Sequence, residues 1–217
     1  MTTVDRLTQS GIKARILTDR SEIATAFPAW AATAPTEYVR LISEMFPSFA
    51  EEFGRRIVSV DPVAVEVGGE SLYYLCYQEG RFDQIWMGES PYRGATLAVE
   101  SFLPDSYVHF ARSVHNGIYL SSVENGPMAL EEMVLLSNEV TEEDVAGNWP
   151  EAAIDPQNLY KVATSHMAEI CVSPNLRRGE AVAINFQDAT VTQHTVGFAE
   201  ALDDLMRTTL DSYVGYR

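Results

Sequence analysis

The sequence predicts an α+β protein, a mainly antiparallel sheet flanked by helices, on three observations. Apolar residues recur at helical spacing from Tyr38 to Phe53 and again from Phe198 to Leu210, close to the two ends of the chain. Between these stretches the apolar period shortens to two in segment after segment. Asp61-Pro62, Gly68-Gly69 and Glu79-Gly80 punctuate the first of those segments, as hairpin turns between antiparallel neighbours do. Helices gathered at the ends around a run of strands make an α+β layout, not an alternating βαβ chain.

The elements follow in order. Residues 13–17 predict a short strand, and a short helix begins near Ser21. In the first long helical stretch Thr36 is placed to cap, Gly54 to terminate and Pro47 to split or kink. Ile57-Val-Ser-Val, Val63-Ala-Val-Glu-Val, Leu72-Tyr-Tyr-Leu-Cys-Tyr and Phe82-Asp-Gln-Ile-Trp-Met then read as a β-meander. Glu89 to Gly94 reads as a loop and divides an N-terminal helix-and-meander extension, 1–94, from a second unit, 95–217. The second unit opens on a proline-started helix with Tyr107, Phe110, Ala111 and Val114 in one stripe, stopped by Asn116-Gly117. A strand from Gly117, a turn at Glu124-Asn-Gly-Pro127 and a short strand or helix from Met128 to Leu136 follow. A long loop spans 137–158, then four strands begin at Leu159, Ala168, Ala181 and Thr190, before the closing amphipathic helix.

At 217 residues with 46% apolar content the chain is large enough for one core, or a core with an extension. Its formal charge of −16, from 31 acids against 15 bases, argues against nucleic acid or anionic membrane as a partner and in favour of a basic protein. The imbalance is concentrated. From Ser113 to Tyr160 there is no Lys or Arg, while Glu124, Glu131, Glu132, Glu139, Glu142, Glu143, Asp144, Glu151 and Asp155 are all acidic. Such a segment is either a solvated face or a field that steers a cationic surface. Trp149, in the same loop, is either a plug into the core, the commoner case, or a binding anchor. Cys76 and Cys171 sit in apolar runs, where free buried thiols lie. The first residues carry no apolar signal segment and no stretch is long enough to span a bilayer, so the expected location is cytoplasmic. Oligomeric state stays open.

Catalytic and cofactor motifs are missing from the sequence. There is no HExxH or paired CxxC for a metal, no GxxxxGK[ST] or GxGxxG for phosphate, and no GxSxG nucleophile elbow. No cofactor, metal or catalytic residue is therefore expected. His109 and His115 lie six apart on different helix faces, and His166 and His194 stand alone, so structural or surface roles are expected for all four. Tyr73, Tyr74, Tyr77, Phe82 and Trp86 lack the basic groove of a base-stacking platform and read as sheet packing.

Leu103-Pro-Asp-Ser-Tyr107-Val-His-Phe110 followed by Asn116-Gly117 resembles the LPxxYxxF helix and Asn-Gly turn that open the SUKH superfamily. Lys161-Val-Ala-Thr through Ile170-Cys-Val, then Ala181-Val-Ala-Ile-Asn-Phe, resembles that family's central strands, and Thr195-Val-Gly-Phe-Ala-Glu-Ala-Leu-Asp-Asp-Leu its closing helix. The pieces fall in the family's order over roughly the last 120 residues. The resemblance implies a SUKH-like core and, since many members are immunity proteins of toxin systems, a non-catalytic module that covers a partner toxin, often a basic nuclease. The docking surface expected on charge is Glu139, Glu142, Glu143, Asp144, Trp149 and Glu151. The rival expectation is a small hydrolase or transferase with its site between the two halves, using His109, His115 or His166 with a neighbouring acid.

Overall fold

The computed structural model describes residues 14–17, 19–32, 35–57, 63–67, 71–78, 84–120, 124–139, 154–165, 168–187 and 190–212. It has helices packed on antiparallel sheets, an α+β fold. The first sheet holds β1 (Ala14–Ile16), β2 (Val63–Val67), β3 (Ser71–Gln78), β4 (Gln84–Glu89) and β5 (Ile118–Leu120), side by side in chain order. The second holds β6 (Gly126–Pro127), β7 (Tyr160–Thr164), β8 (Ala168–Val172), β9 (Glu180–Gln187) and β10 (Thr190–Gly197), also in chain order. Every neighbouring pair is antiparallel, as the period-two segments and their turns require.

The α-helices among the described residues are α1 (Arg20–Ala26), α2 (Pro35–Ser43), α3 (Pro47–Ile57), α4 (Asp105–Ser113) and α5 (Phe198–Ser212). Pro47 splits the first long helical stretch, since its ring removes the N–H that an uninterrupted helix would need. Gly54 does not end it. The helix runs on to Ile57, and a Cβ on Gly54 would stand 3.0 Å from Val39 Cγ1, so this glycine lets α3 press against α2. Ile57 is accordingly helical, and the rest of the strand expected there lies outside the described residues. Pro104 is the residue before α4, its N-cap and not its first turn. Met128 to Leu136 forms neither strand nor α-helix but leads through two short 3₁₀ turns, Leu130–Glu132 and Leu136–Asn138.

The core runs across position 94. Phe49 of α3 meets Trp86 of β4 at 5.1 Å between ring centroids, and Phe46 meets Phe110 of α4 at 5.3 Å. Tyr107 of α4 meets Phe198 of α5 at 5.2 Å. Phe46, Phe49, Phe53, Trp86, Tyr107 and Phe198 are all fully buried, and each such ring contributes roughly 2–3 kcal/mol relative to exposure. A smaller cluster of Leu136, Leu159, Cys171, Val182, Ile184 and Val191 lies against the second sheet.

Candidate functional site

The two sheets meet at a tight corner. Leu120, the last residue of β5, donates its N–H to the Asn125 carbonyl at 3.0 Å, and Glu124 N–H returns to the Leu120 carbonyl at 2.9 Å. Gly126 carries φ 149° and a Cβ there would fall 2.2 Å from the Ile118 carbonyl oxygen, so only glycine permits this approach of β6 to β5. Glu124 takes φ 55°, a left-handed conformation that costs a non-glycine residue of the order of 1 kcal/mol. Asn116 holds the far side of the corner: its Oδ1 accepts from Leu130 N–H at 2.9 Å and its Nδ2 donates to Glu131 Oε2 at 2.6 Å. The Asn-Gly pair read as a helix stop thus also clamps the 3₁₀ turn that carries Glu131 and Glu132.

A cleft of about 380 Å³ opens at this corner, walled by Glu89 from β4, Glu124 from the turn, Glu132 and Glu139 from the 3₁₀ turns, and Lys161 and Thr164 from β7. Glu124, Glu131, Glu132 and Glu139 are exposed, and Glu89 is half-buried. Burial, then the nearby Glu132 and Glu131 charges, push the Glu89 carboxyl up to about 7. Among the described residues Lys161 is the one cation of the wall, and its ammonium is held by the Glu139 carboxylate. Behind Thr164, whose hydroxyl donates to Glu169 Oε1 at 3.1 Å, burial pushes Glu169 up to about 7 as well, against the pull of Lys161. Glu169 Oε2 is buried and has no hydrogen-bond partner, which suits a carboxyl near its neutral form.

The arrangement can therefore hold a cation between carboxylates of different origin. Of the docking residues expected from the sequence, Glu139 is on the cleft wall. Glu142, Glu143, Asp144, Trp149 and Glu151 lie outside the described residues. Glu89, Lys161, Thr164 and Glu169 were not anticipated, because β4, the β5–β6 corner and β7 reach the cleft through pairings that no local pattern encodes. Glu124, Glu131 and Glu132 belong to the acidic run seen in the sequence.

Neither His109 nor His115 of the rival reading lines the cleft. His115 is fully buried, with Nδ1 2.9 Å from the Glu89 carbonyl and Nε2 2.9 Å from the Tyr38 hydroxyl. His109 is exposed on α4, with its Nδ1 3.4 Å from the Ser113 hydroxyl, and His166 lies outside the described residues. Among the described residues no group of His, Cys, Asp or Glu is arranged to hold a metal ion, and no helix is long and apolar enough to cross a membrane. Comparison of the chain with protein-family models, with curated proteins and with solved structures returned no match.

Proposed function

We propose that the protein is a non-catalytic binding module of the immunity-protein kind, which docks a basic, nuclease-type toxin over the acidic cleft and blocks its active region. The observation that carries this reading is the cleft itself. Three exposed carboxylates, Glu124, Glu132 and Glu139, line a cavity with Glu131 close enough to act on Glu89, and its single cation among the described residues, Lys161, is already bound to Glu139. A nuclease surface that grips phosphates is positive, and such a rim offers it carboxylates in place of phosphates. The order of elements from Leu103 onward, resembling SUKH domains, supports the same class.

The test uses native complexes purified at low salt with the wild-type chain and with a Glu131→Lys, Glu132→Lys double variant. The reading expects one stoichiometric basic protein with the wild type, its association rate on the isolated pair falling about tenfold or more in the variant and at high salt. A partner that binds both chains alike would remove the cleft from the interface. A carboxyl poised near 7 in a cleft, Glu89, is also what a general acid or base requires, and favours the hydrolase as a second reading. That reading expects Glu89→Gln to abolish a turnover, while the first expects Glu89→Gln to alter only the pH dependence of docking.

A further inference from the structure

The second sheet ends on one side at β10, and nothing described covers its outer edge. β10 pairs with β9 without interruption from Thr190↔Gln187 to Gly197↔Glu180. One step further Phe198 N–H donates to the Gly179 carbonyl at 2.9 Å. In an antiparallel ladder bonded and non-bonded pairs alternate, so the even-numbered residues of β10 bond to β9. Val191, Gln193 and Thr195 then direct their N–H and C=O groups away from the sheet, and Gly197 its N–H, since its C=O precedes Phe198 and opens α5. None of these outward groups of Val191, Gln193 and Thr195 makes a backbone hydrogen bond among the described residues. The Gln193 side chain is engaged, with Ile154, but its main chain is not.

Protein edges of this length are ordinarily blunted by lysine, proline or a bulge. β10 has none of these: it reads Thr-Val-Thr-Gln-His-Thr-Val-Gly in unbroken register. A groove of about 630 Å³ adjoins its C-terminal end, where Thr195 and Gly197 face α5. Glu200, Asp204 and Arg207 line that groove at helical spacing, so they form one stripe along α5. Asp203 also lines it but is committed to the Ser48 and Phe49 N–H groups, and Arg207 is paired with Asp204. Among the described residues the wall therefore carries three carboxylates against one guanidinium, and no ion pair involves Glu200.

We infer that the outer edge of β10 accepts an extended, basic segment of a partner protein as an added strand. Main-chain hydrogen bonds to Val191, Gln193, Thr195 and Gly197 supply affinity that is independent of sequence, and a lysine or arginine entering the groove beside Glu200 supplies selectivity. A second copy of this chain is the poorer occupant, because edge-to-edge pairing would bring together two molecules of formal charge −16. This surface lies at the opposite end of the second sheet from the acidic cleft and shares with the proposed function only the sign of the partner's charge.

The probe is a blocked octapeptide alternating lysine with threonine, titrated into the isotope-labelled full chain at low salt and followed by amide shifts and hydrogen exchange. Slowed exchange at Val191, Gln193, Thr195 and Gly197 is expected. Binding should weaken at least about tenfold when alternate peptide nitrogens are N-methylated, since several hydrogen bonds are lost at once. Glu200→Gln, an exposed and conservative change, should weaken the lysine peptide and leave a serine–threonine control unchanged. Glu131→Lys with Glu132→Lys should leave the peptide site intact, so loss of the cleft reading and loss of this one are separate results. No protection of β10 at millimolar peptide, or equal binding of a glutamate–threonine peptide, overturns the inference. Protection that grows with protein concentration in the absence of peptide overturns it in favour of a second copy.

Discussion

His115 shows how one side chain can fix a junction. The Glu89 carbonyl can only accept, so the proton sits on Nδ1, and Nε2 accepts from the Tyr38 hydroxyl. The ring is wedged among Phe27, Trp30, Tyr38 and Phe110, and this burial pushes its pKa down to about 4 from the ordinary 6.5. Above 6.5 both the folded and the unfolded chain carry a neutral ring. Below it the unfolded chain takes up a proton that the folded chain refuses until about 4, so stability drains away across that window, by about 3 kcal/mol in all. Glu89 and Glu169 act in the opposite sense: their folded values near 7 exceed the ordinary 4.5, so what they contribute is present in acid and lost as pH rises through 7. The measurement is therefore a difference. Unfolding free energy from urea titrations at several pH values should fall more steeply on acidification for the wild type than for His115→Gln. Equal slopes would mean that the ring is not held neutral. The same packing makes a second prediction, because a Cβ on Gly88 would lie 2.4 Å from the imidazole. Gly88→Ala has to push the ring off both hydrogen bonds, and should cost about 2–3 kcal/mol in the same assay at pH 7.

Among the elements, α3 depends on a residue it does not contain. Pro47 opens it, but the residue before it is Phe46, which has no side-chain acceptor for the free N–H groups of the first turn. Asp203, from α5, supplies one: Oδ2 accepts from Ser48 N–H at 3.0 Å and Oδ1 from Phe49 N–H at 2.8 Å. The carboxylate also lies at the positive end of the helix dipole. Asp203→Ala should lower unfolding free energy by about 1–2 kcal/mol. Asp203→Asn, which keeps one acceptor and loses the charge, should fall between it and the wild type. Equal stabilities would show that the cap contributes nothing. This contact also marks where sequence reading stops. Strands 63–67, 71–78 and those from Tyr160 to Gly197 were legible because alternation is a local signal, and the split at Pro47 because a proline ring acts on its own turn. Gly54 was misread as a stop because its reason, the approach of Val39, comes from another helix. The 3₁₀ turns after Met128 were illegible for the same cause: the Asn116 amide that pins Leu130 and Glu131 arrives from 14 and 15 residues earlier.

For the whole molecule, the sign of the charge was legible, and the cleft was not. The base-free run from Ser113 to Tyr160 announced an acidic segment, and Glu124, Glu132 and Glu139 of that run do converge on the cleft. What gives the surface depth is Glu89, delivered by the β4–β5 pairing, and Lys161 on β7. Glu89 also gives it a pH dependence. At pH 6 a carboxyl with a pKa near 7 is mostly protonated, so a cation entering the cleft finds a weaker field; at pH 8 it is mostly ionised. A bound ammonium or guanidinium favours the ionised form and so draws a proton off Glu89 as it docks. Affinity for the proposed basic partner should therefore rise between pH 6 and 8, with proton release visible by calorimetry as a buffer-dependent binding enthalpy. Glu89→Gln should flatten the rise and remove the released proton while leaving the salt dependence set by Glu131 and Glu132. If affinity stays level across that range in the wild type, the partner's cation does not enter the cleft, and docking is confined to the exposed rim.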